Sequence, residues 1–131
     1  QCEWRSECLA LAGVIDSYVG VATLCHNDLV ASNFLDDGNL WLIDFEYAVC
    51  ADPILDLASL AAMNGFSDSE CDLLIANYFA RKPVPFDRVT FSSAVRFQCL
   101  IAYFWALGNG VAGDGSAASA AFVERMVAML R

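Results

Sequence analysis

Two apolar runs, Asn33 to Leu35 and Leu40 to Ile43, flank the turn cluster Asp36-Asp37-Gly38-Asn39. That arrangement predicts a tight β-hairpin, because Gly and Asn/Asp accept the backbone angles that such a turn demands. A hairpin returns its two ends to one place, so Asn33 and Asp44 are expected to meet. An acid placed directly after Leu-Trp-Leu-Ile has little reason to sit there unless it is paired or binds a cation. One Asn and one Asp at a common point suit Mg²⁺, which takes few protein oxygens and fills its shell with phosphate and water.

Upstream, Asp28 stands five residues before Asn33. This is the spacing of a phosphoryl-transfer loop, in which an Asp receives the proton of the acceptor hydroxyl and an Asn reaches the metal. Glu46 follows Asp44 by two residues, so on an extended backbone it faces the same side and is a further candidate ligand. His26 is the only histidine. No nucleophile stands at a matching motif, so a catalytic triad is not expected.

His26-Asn27-Asp28, Asn33 and Ile43-Asp44-Phe45-Glu46-Tyr47 together resemble the choline/ethanolamine kinase branch of the aminoglycoside phosphotransferase-like kinases, in particular its bacterial choline kinase-like members. Asp52-Pro53-Ile54-Leu55-Asp56-Leu57-Ala58 extends the likeness, which covers Leu24 to about Leu60. The resemblance implies that Asp28 is the catalytic base, that Asn33, Asp44 and Glu46 hold Mg²⁺, and that ATP is the phosphoryl donor. It implies supporting roles for His26, bonded to backbone near the metal Asp, and for Asp56, which would accept N–H groups of the catalytic loop; a helix-dipole role in the first turn is the other reading of Asp56. The expected acceptor is the primary alcohol of choline or ethanolamine, with an aminoglycoside or another amino alcohol as the alternative.

Quaternary ammonium groups are held by aromatic faces, since they carry no N–H to donate. The run Tyr103-Phe104-Trp105 resembles the helix lining the choline pocket of such kinases, with Gly108 where that pattern carries a second Trp. Trp105 and Tyr103 are therefore the candidate substrate-binding residues, and a core aromatic stripe is the competing reading.

The order of elements around these motifs is mainly helical. Glu3 to Tyr18 carries apolar residues at helical spacing with Gly20 as a stop, and Val21 to Cys25 reads as a short strand. Asp52-Pro53 opens a helix to about Met63, and Ser67 with Glu70 opens another through Ala80. Lys82 to Pro85 reads as a linker, Asp87 caps a long helix to Leu107, and Ser116 caps a last one through Arg131. The expected fold class is α+β, mainly α-helical: the C-terminal lobe of a protein-kinase-like fold, with a small β-hairpin carrying the metal site. No glycine-rich loop precedes Cys25 and no strand lysine pairs with a helix glutamate. The 131 residues are thus expected to be a single domain, the catalytic-loop lobe, with the N-terminal ATP-covering lobe absent from the chain. As a fragment it is expected to turn over poorly, and a non-catalytic binding module is the rival from another class.

A formal charge of −9 disfavours nucleic acid or an anionic membrane as partner and suits a cationic substrate. The longest apolar stretch, Cys99 to Gly113, is interrupted by Asn109 and three glycines and falls short of a bilayer span. Six scattered cysteines without a Cys-x-x-Cys pair read as reduced thiols of a cytoplasmic protein. Exposed apolar surface on an isolated lobe would favour association, so a homo-oligomer is a further expectation.

Overall fold

The computed structural model describes residues 2–16, 22–81, 87–113 and 115–131. Five α-helices and four short strands follow in the order α1 (Cys2–Asp16), β1 (Thr23–Cys25), β2 (Phe34–Asp36), β3 (Leu40–Leu42), β4 (Val49–Ala51), α2 (Pro53–Asn64), α3 (Asp68–Phe79), α4 (Arg88–Gly108) and α5 (Ala117–Met129). A 3₁₀ turn at Ala31–Asn33 leads into β2, and another at Val111–Gly113 precedes α5. The expected linker at 82–85, and the stop at Gly20, lie outside the described residues.

Helix starts follow from caps written in the sequence. The Asp52 carboxylate accepts from the N–H of Ile54 with Pro53 at the first helical position, so two of the free donors at the start of α2 need no partner of their own. Ser67 and Glu70 form a reciprocal capping box at α3, and Asp87 accepts from Thr90 N at α4. Helix α2 ends at Gly65, whose φ of 69° is left-handed. The last helix stops at Met129, two residues short of the expected end.

Helix α4 is the centre of the packing, with α1, α2 and α5 laid against it. Alanines 58, 61, 62, 94 and 106 are fully buried on α2 and α4, and their small side chains let helix backbones approach closely. One core joins Ile54, Leu57, Ala58 and Ala61 of α2 to Phe91 and Ala94 of α4, with Ile15 and Cys71 at its edges. The other joins Ala62, Cys99, Leu100 and Ala102 to Met126 and Leu130, roofed by Trp4, Tyr103 and Phe104. On α1, Trp4, Cys8, Leu11 and Ile15 face these cores, as their helical spacing predicts.

The strands make two small antiparallel sheets rather than one hairpin alone. In the first, Phe34 pairs with Leu42, Leu35 with Trp41 and Asp36 with Leu40. In the second, β1 pairs with β4, a strand that no pattern in the sequence marks, with Cys25 opposite Val49. Between them the sheets expose Leu24, Leu35, Leu40, Trp41, Ile43, Phe45, Tyr47 and Val49. Among the described residues no helix is long and apolar enough to cross a membrane.

Candidate active site

The site is built where the loop after β1 meets the end of the β2–β3 hairpin. The Asn33 side-chain amide donates to Asp28 twice, to its carboxylate at 3.0 Å and to its carbonyl at 2.9 Å. On the other side the Asn33 carbonyl accepts from Ile43 N at 3.0 Å. Asn33 is therefore tied at once to Asp28 and to the residue before Asp44. With its amide nitrogen committed to Asp28, its side chain has one polar atom left, the Oδ1 oxygen, which is a hard ligand of the kind Mg²⁺ takes.

Asp44 adopts a left-handed backbone with φ 65°, as does Asn27 with φ 62°. This conformation is costly for most L-residues and best tolerated by Asn and Asp. It turns the chain sharply out of the strand, and the turn is closed by Ala48 N on the Phe45 carbonyl. Asp44 and Glu46 are exposed, and among the described residues their carboxylates meet no hydrogen-bond donor or cation. No three His, Cys, Asp or Glu side chains converge as a self-contained metal cage among the described residues. The donors available are instead one amide oxygen and two open carboxylates. That sparse all-oxygen set fits Mg²⁺ carrying phosphate and water, and would not hold zinc.

His26 is buried, and both ring nitrogens are occupied. Nε2 lies 2.8 Å from the Ile43 carbonyl, and Nδ1 accepts from Asp28 N at 3.3 Å. Because a carbonyl can only accept, the proton sits on Nε2, and no ring atom is left for acid–base work. Phe45 packs edge-on against the ring at 4.6 Å. Asp56, in the first turn of α2, receives the loop from below. Its Oδ2 accepts from His26 N at 2.8 Å and its Oδ1 from Asn27 N at 2.7 Å.

Asn64 also touches the loop, although in the sequence Asn64-Gly65, following Met63, reads only as a helix stop. Its amide donates to the Leu29 carbonyl at 2.8 Å and to Leu60 of its own helix. No local pattern announces a bond across 35 residues.

The two aromatic candidates are not brought together. Two residues along a helix differ by about 200° in direction, so Tyr103 and Trp105 leave α4 on nearly opposite sides. Tyr103 is half-buried and stacks edge-on against Trp4 of α1 at 4.8 Å. Trp105 is 50% exposed. Two surface grooves, one lined by Leu11, Arg88 and Arg96 and one by Leu9, Phe104 and Leu107, share no residue with the Asp28–Asn33–Asp44 cluster.

Residues 4–88 match the model of the phosphotransferase enzyme family, APH. Protein LicA of Haemophilus influenzae is 40% identical over 55 residues, which are 41% of this chain and 21% of that protein. Among solved structures, choline kinase LicA from Streptococcus pneumoniae superposes with a TM-score of 0.75 at 25% identity, over 98% of this chain and 46% of that one. LicA in complex with AMP does so with a TM-score of 0.76 at 26% identity, over 98% and 45%. The fold is thus that of the protein-kinase-like choline kinases, and the chain spans about half the length of the solved structures it matches.

Proposed function

We propose that this chain, which belongs to the phosphotransferase enzyme family, supplies the catalytic-loop half of an ATP-dependent kinase. The kinase would transfer the γ-phosphate to the primary alcohol of choline or ethanolamine. One observation carries the reading: Asn33 is bonded on one side to the Asp28 carboxylate and on the other to the backbone beside Asp44, so candidate base and candidate metal ligands share one scaffold. The names of the LicA structures, one a choline kinase and one holding AMP, support the acceptor and the nucleotide.

In this reading Asp28 aligns the acceptor hydroxyl and receives its proton as the O–P bond forms, an effect chiefly of positioning in a loose transition state. The amide of Asn33 fixes the rotamer of that carboxylate. Asn33 Oδ1, Asp44 and Glu46 would hold Mg²⁺. When bound, the ion neutralises charge on the nucleotide phosphates. His26 and Asp56 hold the loop and the Asp44 turn in register without touching substrate. Trp105 offers an aromatic face to a quaternary ammonium, and the net charge of −9 favours a cationic substrate. Tyr103, on the other side of α4, would serve the substrate only indirectly, by packing on Phe104 at 5.7 Å and on Trp4 and so holding the helix that carries Trp105.

The large apolar side chains left exposed between Leu24 and Val49 support a second, ATP-covering lobe seated on the strands that carry them, since so much exposed apolar surface favours a partner. The matched solved structures being about twice as long as this chain supports it too. Five free cysteines among the described residues fit a reducing, cytoplasmic setting. The same apolar surface favours one other reading, a lobe that binds a partner without turnover.

The test is Mg²⁺-dependent nucleotide binding, compared between this chain and Asp44→Ala. Binding that requires Mg²⁺ and is lost in the variant supports the metal site. Equal behaviour of the two removes it and promotes the binding-module reading. Assays of the full natural product on choline, ethanolamine and aminoglycosides then decide the acceptor.

A further inference from the structure

The β1–β4 ladder ends at Cys25 opposite Val49, yet its register sets Asn27 opposite Tyr47 two residues further on. At that point the backbone of Asn27 has turned to φ 62°, and its N–H is taken by Asp56. The main chain therefore has no donor left for another rung. The side chain provides one: Asn27 Nδ2 donates to the Tyr47 carbonyl at 3.1 Å. A carbonyl accepts only, so the nitrogen of the amide is the atom that faces it.

This rung holds the far side of the Asp44 turn. The near side is held at Ile43, whose N–H donates to Asn33 and whose carbonyl accepts from His26. Between the two holds lie Asp44, Phe45 and Glu46, and the two carboxylates there have no side-chain partner among the described residues. Where those side chains leave the turn is decided by the backbone, and the backbone is fixed by its flanks.

We infer that Asn27 is a positioning residue for cation binding: its side chain is a ladder rung that sets the downstream flank of the Asp44–Glu46 turn, while its left-handed backbone lets His26 and Asp28 point to opposite uses. The inference rests on the metal-site reading above. It also accounts for the residue type. Gly would supply the left-handed angle without the rung, and Asp would keep the shape but set an acceptor against a carbonyl.

Asn27→Gly and Asn27→Asp separate these contributions. Mn²⁺ is titrated into a fixed, limiting concentration of ATP with and without each protein, and electron paramagnetic resonance reads the uptake that the protein adds. Melting is recorded in EDTA. The expected result is Mn²⁺ affinity weakened about five- to tenfold in both variants, with the melting midpoint of Asn27→Gly within a few degrees of the parent. Unchanged Mn²⁺ affinity in both variants, in a parent that binds Mn²⁺, overturns the inference and leaves the metal site standing. So does a loss of Mn²⁺ binding that only follows unfolding in EDTA, which would make Asn27 a residue of the fold alone. A parent that takes up no Mn²⁺ overturns the metal-site reading itself, and the rung's role with it.

Discussion

The side-chain amide of Asn33 lies 3.0 Å from the Asp28 carboxylate, and the same residue's carbonyl receives Ile43 N. The two candidate roles of this pair can be separated by mutation. Asp28→Asn removes the proton acceptor but keeps a polar side chain beside Asn33. It is expected to lower single-turnover phosphoryl transfer in the full natural product by roughly 10³-fold with Mn²⁺ binding nearly unchanged. Asn33→Ala takes away both the oxygen ligand and the bond to Asp28. Its expected signature is loss of Mn²⁺ affinity together with turnover. Equal metal binding in Asn33→Ala and its parent would remove Asn33 from the ligand set.

Asp56 accepts two backbone N–H groups, His26 at 2.8 Å and Asn27 at 2.7 Å, across the boundary between loop and helix. Charge-assisted bonds of this kind are worth about 1.5–3 kcal/mol each, and a donor left unpaired adds its own cost. Asp56→Ala is therefore expected to destabilise the chain by about 3 kcal/mol. Asp56→Asn, which keeps one acceptor but turns an NH₂ toward the second donor, should cost about half as much. Urea unfolding gives both values. Hydrogen exchange at the amides of His26 and Asn27 should quicken in each variant, and protection at parental level would show that the loop holds without its brace.

What the sequence discloses here is what is local. The caps at Asp52-Pro53 and Ser67/Glu70 are legible because cap and capped N–H lie within three residues. The hairpin is legible because its turn chemistry sits between two apolar runs. Strand β4 is not, because Val49–Ala51 is too short to show a period and gains its identity only by pairing with Thr23–Cys25. Asn64 and Asn27 escape for a related reason: each amide reaches a carbonyl that is distant in sequence, and the residue itself looks like an ordinary helix stop or turn. The aromatic run on α4 announces bulk and apolar character but not direction. Only the docking of α1 decides that Tyr103 turns inward while Trp105 remains half open.

Burial leaves Cys25 and Cys99 fully enclosed and pushes each thiol up to about 11. The Asp56 carboxylate adds to the rise at Cys25. In the unfolded chain a thiol ionises near about 8.5. Below that pH both states hold the proton, and the contribution to stability is constant. Between the two values the unfolded chain has released protons that the folded chain retains, so stability falls as pH rises. Each thiol accounts for a loss of about 3 kcal/mol by about pH 11. The urea midpoint should therefore drop from pH 8.5 to 10.5 more in the parent than in a Cys25→Ala/Cys99→Ala variant, which removes this source. At pH 8 the exposed Cys50 should react with a thiol reagent in the folded chain, with Cys25 and Cys99 reacting only on unfolding. Rapid labelling of Cys25 in the folded state would contradict the enclosure of its side chain at the end of β1.

Trp105 and Tyr103 offer the sharpest contrast between substrate contact and packing. Tyr103 stacks on Trp4 at 4.8 Å and on Phe104 at 5.7 Å, joining α1 to α4 beside the second core. Truncation to Ala removes both ring contacts and leaves a gap between helices, an expected loss of about 2 kcal/mol. Trp105 is half exposed, so Trp105→Ala should change stability by less than about 1 kcal/mol. If the exposed indole faces the quaternary ammonium, its removal should weaken choline binding roughly tenfold, in line with a cation–π contact of about 1–2 kcal/mol. Calorimetric titration of choline into parent and variant reads this directly. Ethanolamine, whose ammonium can donate hydrogen bonds elsewhere, should lose less. Unchanged choline affinity in Trp105→Ala would take the residue out of the pocket and leave the aromatic run on α4 as packing alone.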